Sequence, residues 1–217
     1  MTVIHHPDDS TLISYAAGTL PESFSVLVSC HLSFCKTCRD RITDAETLGA
    51  AMMLDEPTDQ VTLSRDAFFD RLMAEPDIEP IQEANNDPSV MAHQFPKALA
   101  MMLEQGDEGL PWRRLVPGIQ QIKMDTHDGG LRLLKIQPGV SIPIHTHHGS
   151  EMTLILKGSY SDELGRFKAG DVADLDPTIE HQPITDGAQP CICLIATDAP
   201  MKFQGFLPKL LQPFVGL

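Results

Sequence analysis

Two cysteines and a histidine lie within eight residues of one another near the start of the chain, at His31, Cys35 and Cys38. On a helix these positions fall within two turns on one face. Imidazole and thiolate are ligands that Zn2+ prefers, and structural zinc is almost always four-coordinate. The cluster therefore needs a fourth ligand, which His6 or its neighbour His5 can supply. A metal held there would attach the N-terminus to the end of the second helix. Without a metal, the same residues would be buried thiols and a core histidine.

The charge of the chain argues against nucleic-acid binding. The 217 residues carry a formal net charge of −14, and residues 1–85, with 5 Lys/Arg and 15 Asp/Glu, account for −10 of it. Such a surface repels phosphate backbones, so we expect no direct contact with DNA or RNA. It suits a basic protein partner, although acidity can also serve solubility alone.

The sequence predicts a cytoplasmic protein. It has no run of about 18 apolar residues that could cross a membrane. Its N-terminus lacks the basic and apolar regions of a signal peptide. In a reducing compartment, the five cysteines are interpreted as metal ligands or redox thiols before disulfides.

The first third of the sequence predicts four helices. Cap residues at Asp8–Ser10 precede the first, Pro21 opens the second, the third runs from about Cys38 to Met52, and Ser64 caps the fourth. An acidic stretch with three prolines and two adjacent asparagines follows, which is typical of a linker.

From Trp112 onward the pattern changes to short alternating runs separated by Gly-Gly, Pro-Gly and Gly-Asp turns. Such runs predict an all-β sandwich or barrel. We therefore expect a helical domain over residues 1–85, a linker over residues 86–100 and a β domain over residues 101–217.

A second group of candidate metal ligands lies in the β half, within the pattern Gly139-x5-His145-x-His147-x3-Glu151-x6-Gly158. His145 and His147 alternate along one strand and so share a face. Glu151 follows a Gly-Ser bend, and His181 comes 30 residues later. Three imidazoles and a carboxylate converging inside a barrel would bind a divalent metal: Zn, Fe, Mn, Ni or Cu. The alternative is a metal-free barrel.

This pattern matches the first cupin motif at every position. The second motif is looser, because the segment from Pro177 to His181 lacks the usual glycine and is one residue shorter. The β half thus resembles a cupin, a double-stranded β-helix or jelly-roll barrel. A helical domain with the His…His-x3-Cys-x2-Cys signature resembles the zinc-binding anti-sigma fold. Together, the two halves resemble the ChrR family of anti-sigma factors over essentially the whole chain.

The resemblance implies His6, rather than His5, as the fourth zinc ligand. It also implies a sensing role for the cupin and a sigma factor of the extracytoplasmic-function type as partner. Cys191 and Cys193 share one strand face. If that face is the lumen, a nearby metal would make both thiols oxidisable, and the resemblance implies oxidant sensing. The alternative is two small core residues.

Apolar side chains on the first and fourth helices are candidates for sigma contact, since the resemblance implies that the sigma factor is gripped between the first three helices and the fourth. Packing in the core is the alternative for each of them. The candidates are Leu12, Ile13, Tyr15, Phe68, Phe69, Leu72 and Met73.

We therefore expect a cytoplasmic, non-enzymatic anti-sigma factor. It would carry structural Zn2+ in its helical domain and Zn2+ or another divalent metal in its cupin, and would release its sigma factor under oxidative stress such as singlet oxygen. The alternative function is a metal-dependent cupin dioxygenase or isomerase with a regulatory zinc-binding helical domain. A zinc-dependent DNA-binding regulator is disfavoured by the acidic N-terminal half.

Overall fold

The computed structural model describes residues 2–55, 64–74, 95–103, 110–199 and 201–203. Helices fill the described part before residue 104. They are α1 (Asp9–Ala16), α2 (Glu22–Leu32), α3 (Lys36–Asp55), α4 (Arg65–Ala74) and α5 (Lys97–Met102).

Caps set the helix ends where the sequence places them. Asp8 accepts a hydrogen bond from the backbone N–H of Thr11 at 2.6 Å and begins α1. The Ser64 hydroxyl accepts one from the N–H of Ala67 at 3.1 Å and begins α4. Gly18 follows α1 with a φ of +67°, a left-handed conformation that glycine adopts without strain. None of the described helices is long and apolar enough to span a bilayer.

The described part of the β half contains eleven strands in three antiparallel sheets. The strands are β1 (Arg113–Val116), β2 (Ile119–Met124), β3 (Gly130–Ile136), β4 (His145–His147), β5 (Glu151–Lys157), β6 (Ser159–Asp162), β7 (Gly165–Lys168), β8 (Val172–Leu175), β9 (Ile184–Thr185), β10 (Cys191–Thr197) and β11 (Met201–Phe203). The largest sheet has the order β1-β2-β3-β10-β5-β8, and the smaller ones are β7-β6-β9 and β11-β4. This architecture confirms the predicted fold class, helices followed by a cupin-like β structure.

Strand alternation divides the apolar residues of the largest sheet between two cores. In β10, Cys191, Cys193 and Ile195 belong to the core inside the barrel, which we call the lumen core. Leu194 and Ala196 point to the opposite side of the sheet and belong to the second core, which we call the outer core. Helix α2 covers the outer face, where Phe24, Leu27 and Val28 join the same core as Leu133 and Leu154. The helical part and the β structure therefore share an apolar core.

The predicted linker extends into this packed structure. Phe95, Leu99 and Leu103 are buried in the core shared with α2. Residues 86–94 lie outside the described residues. The division at residues 85 and 100 stays a prediction, but its C-terminal edge falls on helix α5 rather than on unpacked chain.

Candidate metal centres

Four side chains meet where the N-terminal segment crosses the turn between α2 and α3. His6 comes from the extended segment before α1, His31 from the last turn of α2, Cys35 from the connection and Cys38 from the first turn of α3. One candidate ligand atom from each lies within 4.8 Å of all the others. We call this group the N-terminal cluster.

The distances in the N-terminal cluster suit one tetrahedral ion. His31 Nε2 lies 3.3 Å from Cys38 Sγ, and His6 Nδ1 lies 3.3 Å from Cys35 Sγ and 3.4 Å from Cys38 Sγ. Nitrogen and sulfur ligands of one zinc ion are separated by roughly 3.5 Å, given bonds of about 2.0–2.1 and 2.3 Å. These residues could therefore hold Zn2+ without rearrangement.

The ring of His31 is oriented so that its Nε2 atom can bind a metal ion. Its Nδ1 lies 2.9 Å from the carbonyl oxygen of Gly170, which can only accept, so Nδ1 carries the hydrogen and Nε2 keeps its lone pair. Burial lowers the pKa of His31 to about 4, so the imidazole is neutral near pH 7. Burial and the neighbouring Cys35 thiol raise the pKa of Cys38 to about 12, and a bound cation would reverse this by stabilising the thiolate.

The structure corrects one expectation about the N-terminal cluster and decides between two alternatives for its fourth member. His31, Cys35 and Cys38 do not share one helix, because α2 ends at Leu32 and a turn precedes α3. His6 joins the cluster, whereas His5 packs against Phe167 of the barrel with ring centroids 4.3 Å apart and the rings tilted by 34°.

A second cluster lies inside the barrel. His145, Glu151 and His181 are at most 2% exposed, and one ligand atom from each lies within 4.8 Å of the others. His145 opens β4, Glu151 opens β5, and a β-bridge pairs His145 with His181. We call this group the barrel cluster. His147 lies in β4, but its side chain is outside the described residues, so its place in the cluster stays a prediction.

Hydrogen bonds orient both barrel histidines toward a common point. Nδ1 of His145 donates to the carbonyl oxygen of Pro143 at 2.9 Å, and Nδ1 of His181 donates to the Asp162 carboxylate at 3.0 Å. In the neutral rings both Nε2 atoms then carry lone pairs, and they face each other at 3.1 Å. Two lone pairs at this distance repel unless a proton or a metal ion lies between them. Two nitrogens on one ion, each about 2.0–2.1 Å from it, are separated by roughly 3 Å, so this geometry fits a bound metal.

The electrostatics of Glu151 favour a cation as well. Burial raises its pKa to about 7, an effect opposed by His181, by a hydrogen bond from Thr153 and by the charge of Arg132. A buried carboxylate is costly to ionise without a positive partner, and a divalent metal would supply one.

The room beside the barrel cluster is small. A cavity of about 20 Å3 is bounded by the barrel cluster together with Tyr160 and Cys193. Such a volume accommodates about one water molecule. The Tyr160 hydroxyl is buried without a hydrogen-bond partner in the described part of the chain. Burial, with nearby Asp162, raises the pKa of Tyr160 well above its usual range, so it remains a donor.

Cys191 and Cys193 lie in the lumen core, and Cys193 borders the cavity. A hydrogen bond with Cys191 and burial raise the pKa of Cys193 well above its usual range. Cys193 thus lies beside the barrel cluster as a protonated, buried thiol, and Cys191 is fully buried in the same core. Their redox role stays a prediction.

Comparison with known proteins agrees with this architecture. Residues 105–200 match the ChrR cupin-like domain. The anti-sigma-E factor ChrR of Cereibacter sphaeroides is 41% identical over 218 residues, an alignment that covers 99% of each chain. The chain belongs to the ChrR family of anti-sigma factors. A crystal structure of Rhodobacter sphaeroides SigE in complex with the anti-sigma ChrR matches 91% of this chain and 100% of that chain, with a TM-score of 0.74 and 34% identity.

The apolar residues singled out for partner contact in this ChrR-family chain fall into two groups. Phe68, Phe69 and Leu72 on α4 are about half exposed, and Met73 is 84% exposed. On α1, Ile13 is 59% exposed. These side chains are accessible to another protein.

The other two candidates on α1 are less accessible. Leu12 is 2% exposed and packs in the core, which removes it from the surface candidates. Its position in α1 faces α2 and α3, so its apolar side chain is needed for packing. Tyr15 is partly buried against the same core.

The sequence analysis did not assign a role to four residues around the two clusters. Asp162 orients His181, and the charge of Arg132 acts on Glu151. Gly170 bonds to His31, and Asp171 bonds to the N-terminal segment. None lies at a motif spacing. The Gly170-Asp171 pair was recognised only as a turn signal. Its contacts with residues more than 130 positions away depend on the packing of two distant segments.

Proposed function

We propose that this protein binds and inhibits a sigma factor of the extracytoplasmic-function type through its helices. The family relationship supports the proposal, and the observation that carries it is the exposed apolar face of α4. Phe68, Phe69, Leu72 and Met73 are each about half exposed or more. Groups of exposed apolar side chains of this kind often mark a surface that another protein covers.

Further apolar exposure on α3 supports the same surface. Leu48, Met52, Met53 and Leu54 in its C-terminal half are 64–86% exposed. Methionine-rich surfaces adapt to irregular partners. The net charge of −10 over residues 1–85 would attract basic surfaces of a protein that binds DNA and would oppose nucleic acid itself. The sigma factor, which works on RNA polymerase, would place the complex in the cytoplasm.

The two metal clusters would have different tasks in this function. Zn2+ at His6, His31, Cys35 and Cys38 would hold the helices in their binding arrangement, since structural zinc contributes on the order of 10 kcal/mol to the folding of small domains. The cupin would hold Zn2+ or another divalent metal at His145, His147, Glu151 and His181. This metal would let the cupin respond to small molecules that reach it.

Release would follow oxidative stress, with singlet oxygen as the expected oxidant. The oxidant would alter Cys191, Cys193 or the metal ligands in the barrel. The altered state must disfavour the sigma-bound arrangement in free energy, because a change that both states tolerate equally shifts nothing. The cavity of about 20 Å3 beside the barrel cluster suits a small oxidant better than an organic substrate. It therefore supports a sensor over a dioxygenase or isomerase.

Co-expression with the candidate sigma factor tests the binding. We expect a 1:1 complex that blocks transcription by that sigma factor. The double variant Phe68→Ala/Leu72→Ala should weaken binding by at least about 30-fold, which corresponds to a hot-spot loss of about 2 kcal/mol. Leu164→Ala is the matched control, because Leu164 is 46% exposed but lies in the barrel. No complex, or equal losses in both variants, would exclude this binding surface.

Illumination of the complex with a photosensitiser tests the release. We expect dissociation that depends on light and oxygen and is reduced in Cys193→Ala and His145→Ala. If the complex stays intact while the barrel thiols oxidise, the proposed signal is wrong but the anti-sigma function stands.

A further inference from the structure

We propose that the cupin barrel holds ligands of the N-terminal cluster in position without supplying a ligand itself. The turn Gly170–Asp171, between β7 and β8, positions His31 and the segment that carries His6, and it slows the loss of the bound metal. This inference rests on the proposed role of that cluster as a zinc site. It assigns to the barrel a positioning function in a metal site whose four candidate ligands all lie in the helical part.

Gly170 holds the ring of His31. Its carbonyl oxygen accepts the hydrogen bond from Nδ1 at 2.9 Å, which fixes the ring orientation and leaves Nε2 for the metal. The turn also requires glycine. The φ of Gly170 is +94°, and a Cβ atom there would come within 2.9 Å of Val3 and 3.1 Å of Phe34. The glycine thus lets the barrel approach both segments that supply ligands.

Asp171 holds the segment that carries His6. Its buried carboxylate accepts hydrogen bonds from three backbone N–H groups: those of Ile4 at 2.7 Å, His5 at 3.1 Å and Lys168 at 2.9 Å. The N–H of Val172 donates to the carbonyl oxygen of His5 at 3.1 Å. The backbone immediately before His6 is therefore bonded to the barrel on both its donor and acceptor sides.

The same turn is bonded to the strand that carries a ligand of the barrel cluster. The N–H of Gly170 donates to the carbonyl oxygen of Ile155 at 2.8 Å, and the N–H of Ile155 donates to that of Asp171 at 3.0 Å. Ile155 lies in β5, which begins at Glu151. Hydrogen bonds through β5 and the turn thus connect the two clusters, so a displacement of β5 would reach the N-terminal metal.

Groups that orient metal ligands typically contribute 10- to 100-fold to metal affinity. We therefore expect Asp171→Asn to accelerate zinc release from the N-terminal cluster of the full chain by about 10- to 100-fold. The rate is measured by transfer to a chromophoric chelator. Asp174→Asn is the matched control. Asp174 also links β8 to the N-terminal region, accepting from Asp8 N and Thr11 Oγ1 at 3.1 Å each, but these contacts lie after His6, at the start of α1, rather than on the backbone just before it.

A second variant guards against misfolding of Asp171→Asn. Ile4→Pro removes one donor to Asp171 from the other side of the contact, and Ile4 is 64% exposed. It should also accelerate zinc release, and the combined variant should add less than the sum of both effects. Wild-type release rates in both variants, or equal acceleration in Asp174→Asn, would overturn the inference. A wild-type protein without zinc in the N-terminal cluster would instead refute the proposed zinc site on which the inference rests, and the binding of the sigma factor is tested separately.

Discussion

The two candidate metal centres differ in how the chain builds them. The N-terminal cluster takes three of its four ligands from the eight residues His31–Cys38, and two of these are cysteines. The barrel cluster joins His145, Glu151 and His181 across 36 residues with nitrogen and oxygen ligands only. A small cavity adjoins the barrel cluster.

If both clusters bind metal, this difference predicts a structural site in the helical part and a responsive one in the barrel. Four protein ligands with two thiolates close the coordination sphere of zinc, which is typical of structural sites. Nitrogen and oxygen ligands beside a water-sized cavity allow an outside ligand to approach the metal. Four predictions test this distinction, beginning with the largest expected effect.

Removal of one thiolate should destroy the N-terminal site and the fold around it. In Cys38→Ser, the loss of zinc removes on the order of 10 kcal/mol, comparable with the whole stability of a domain. We expect loss of zinc by elemental analysis and loss of helical circular dichroism. Cys30→Ala is the control, because Cys30 is fully buried outside the cluster. Intact helices in Cys38→Ser would contradict a structural role.

The metal-free barrel should lose stability as the pH rises. Burial raises the pKa of Glu151 to about 7 from the ordinary value of 4.5, so between these values the folded state binds a proton that the unfolded state has released. Stability therefore falls through this window, by up to about 3 kcal/mol. The measurement is the difference between the urea-unfolding profiles of the wild type and Glu151→Gln from pH 4.5 to 8. Metal loading should abolish this difference. A difference that persists with metal would place Glu151 outside the coordination sphere.

Asp162→Asn should weaken the barrel metal alone. The variant replaces the carboxylate that orients His181 with an amide, and such changes typically cost 10- to 100-fold in metal affinity. Competition with a chelator should register this loss, while the N-terminal zinc remains bound. Asp186→Asn is the control, since Asp186 accepts hydrogen bonds from Ser159 and Ser161 outside the cluster. Equal losses at both metal sites would contradict an effect of Asp162 that is confined to the barrel cluster.

The smallest expected effect is in thiol chemistry. Hydrogen bonding to Cys191 and burial raise the pKa of Cys193, and Cys191 is fully buried, so both thiols should alkylate more slowly in the native protein than in the unfolded chain. A chelator that removes zinc should expose Cys35 and Cys38 to iodoacetamide before Cys191 and Cys193. Peptide mapping by mass spectrometry resolves the order. Earlier labelling of the barrel pair would identify it as the more reactive site.

The sequence analysis predicted the parts of each site that depend on local chemistry. The spacing of His31, Cys35 and Cys38, and the cap at Ser64, follow from rules that act over a few residues. Leu12 shows the limit of such rules. Its apolar pattern fits a binding face and a core face equally, and only its burial against α2 and α3 assigns it to the core.

By itself, the sequence determined the ligand types, their short spacings and the change from helices to strands, because these depend on side-chain chemistry and local backbone preference. Only the tertiary structure decided that His6 rather than His5 faces the N-terminal cluster, and that Asp162 and the Gly170–Asp171 turn orient the ligands. These contacts join segments up to 167 residues apart. Their partners are backbone groups and carboxylates that occur throughout the chain, so packing alone selects the few that meet.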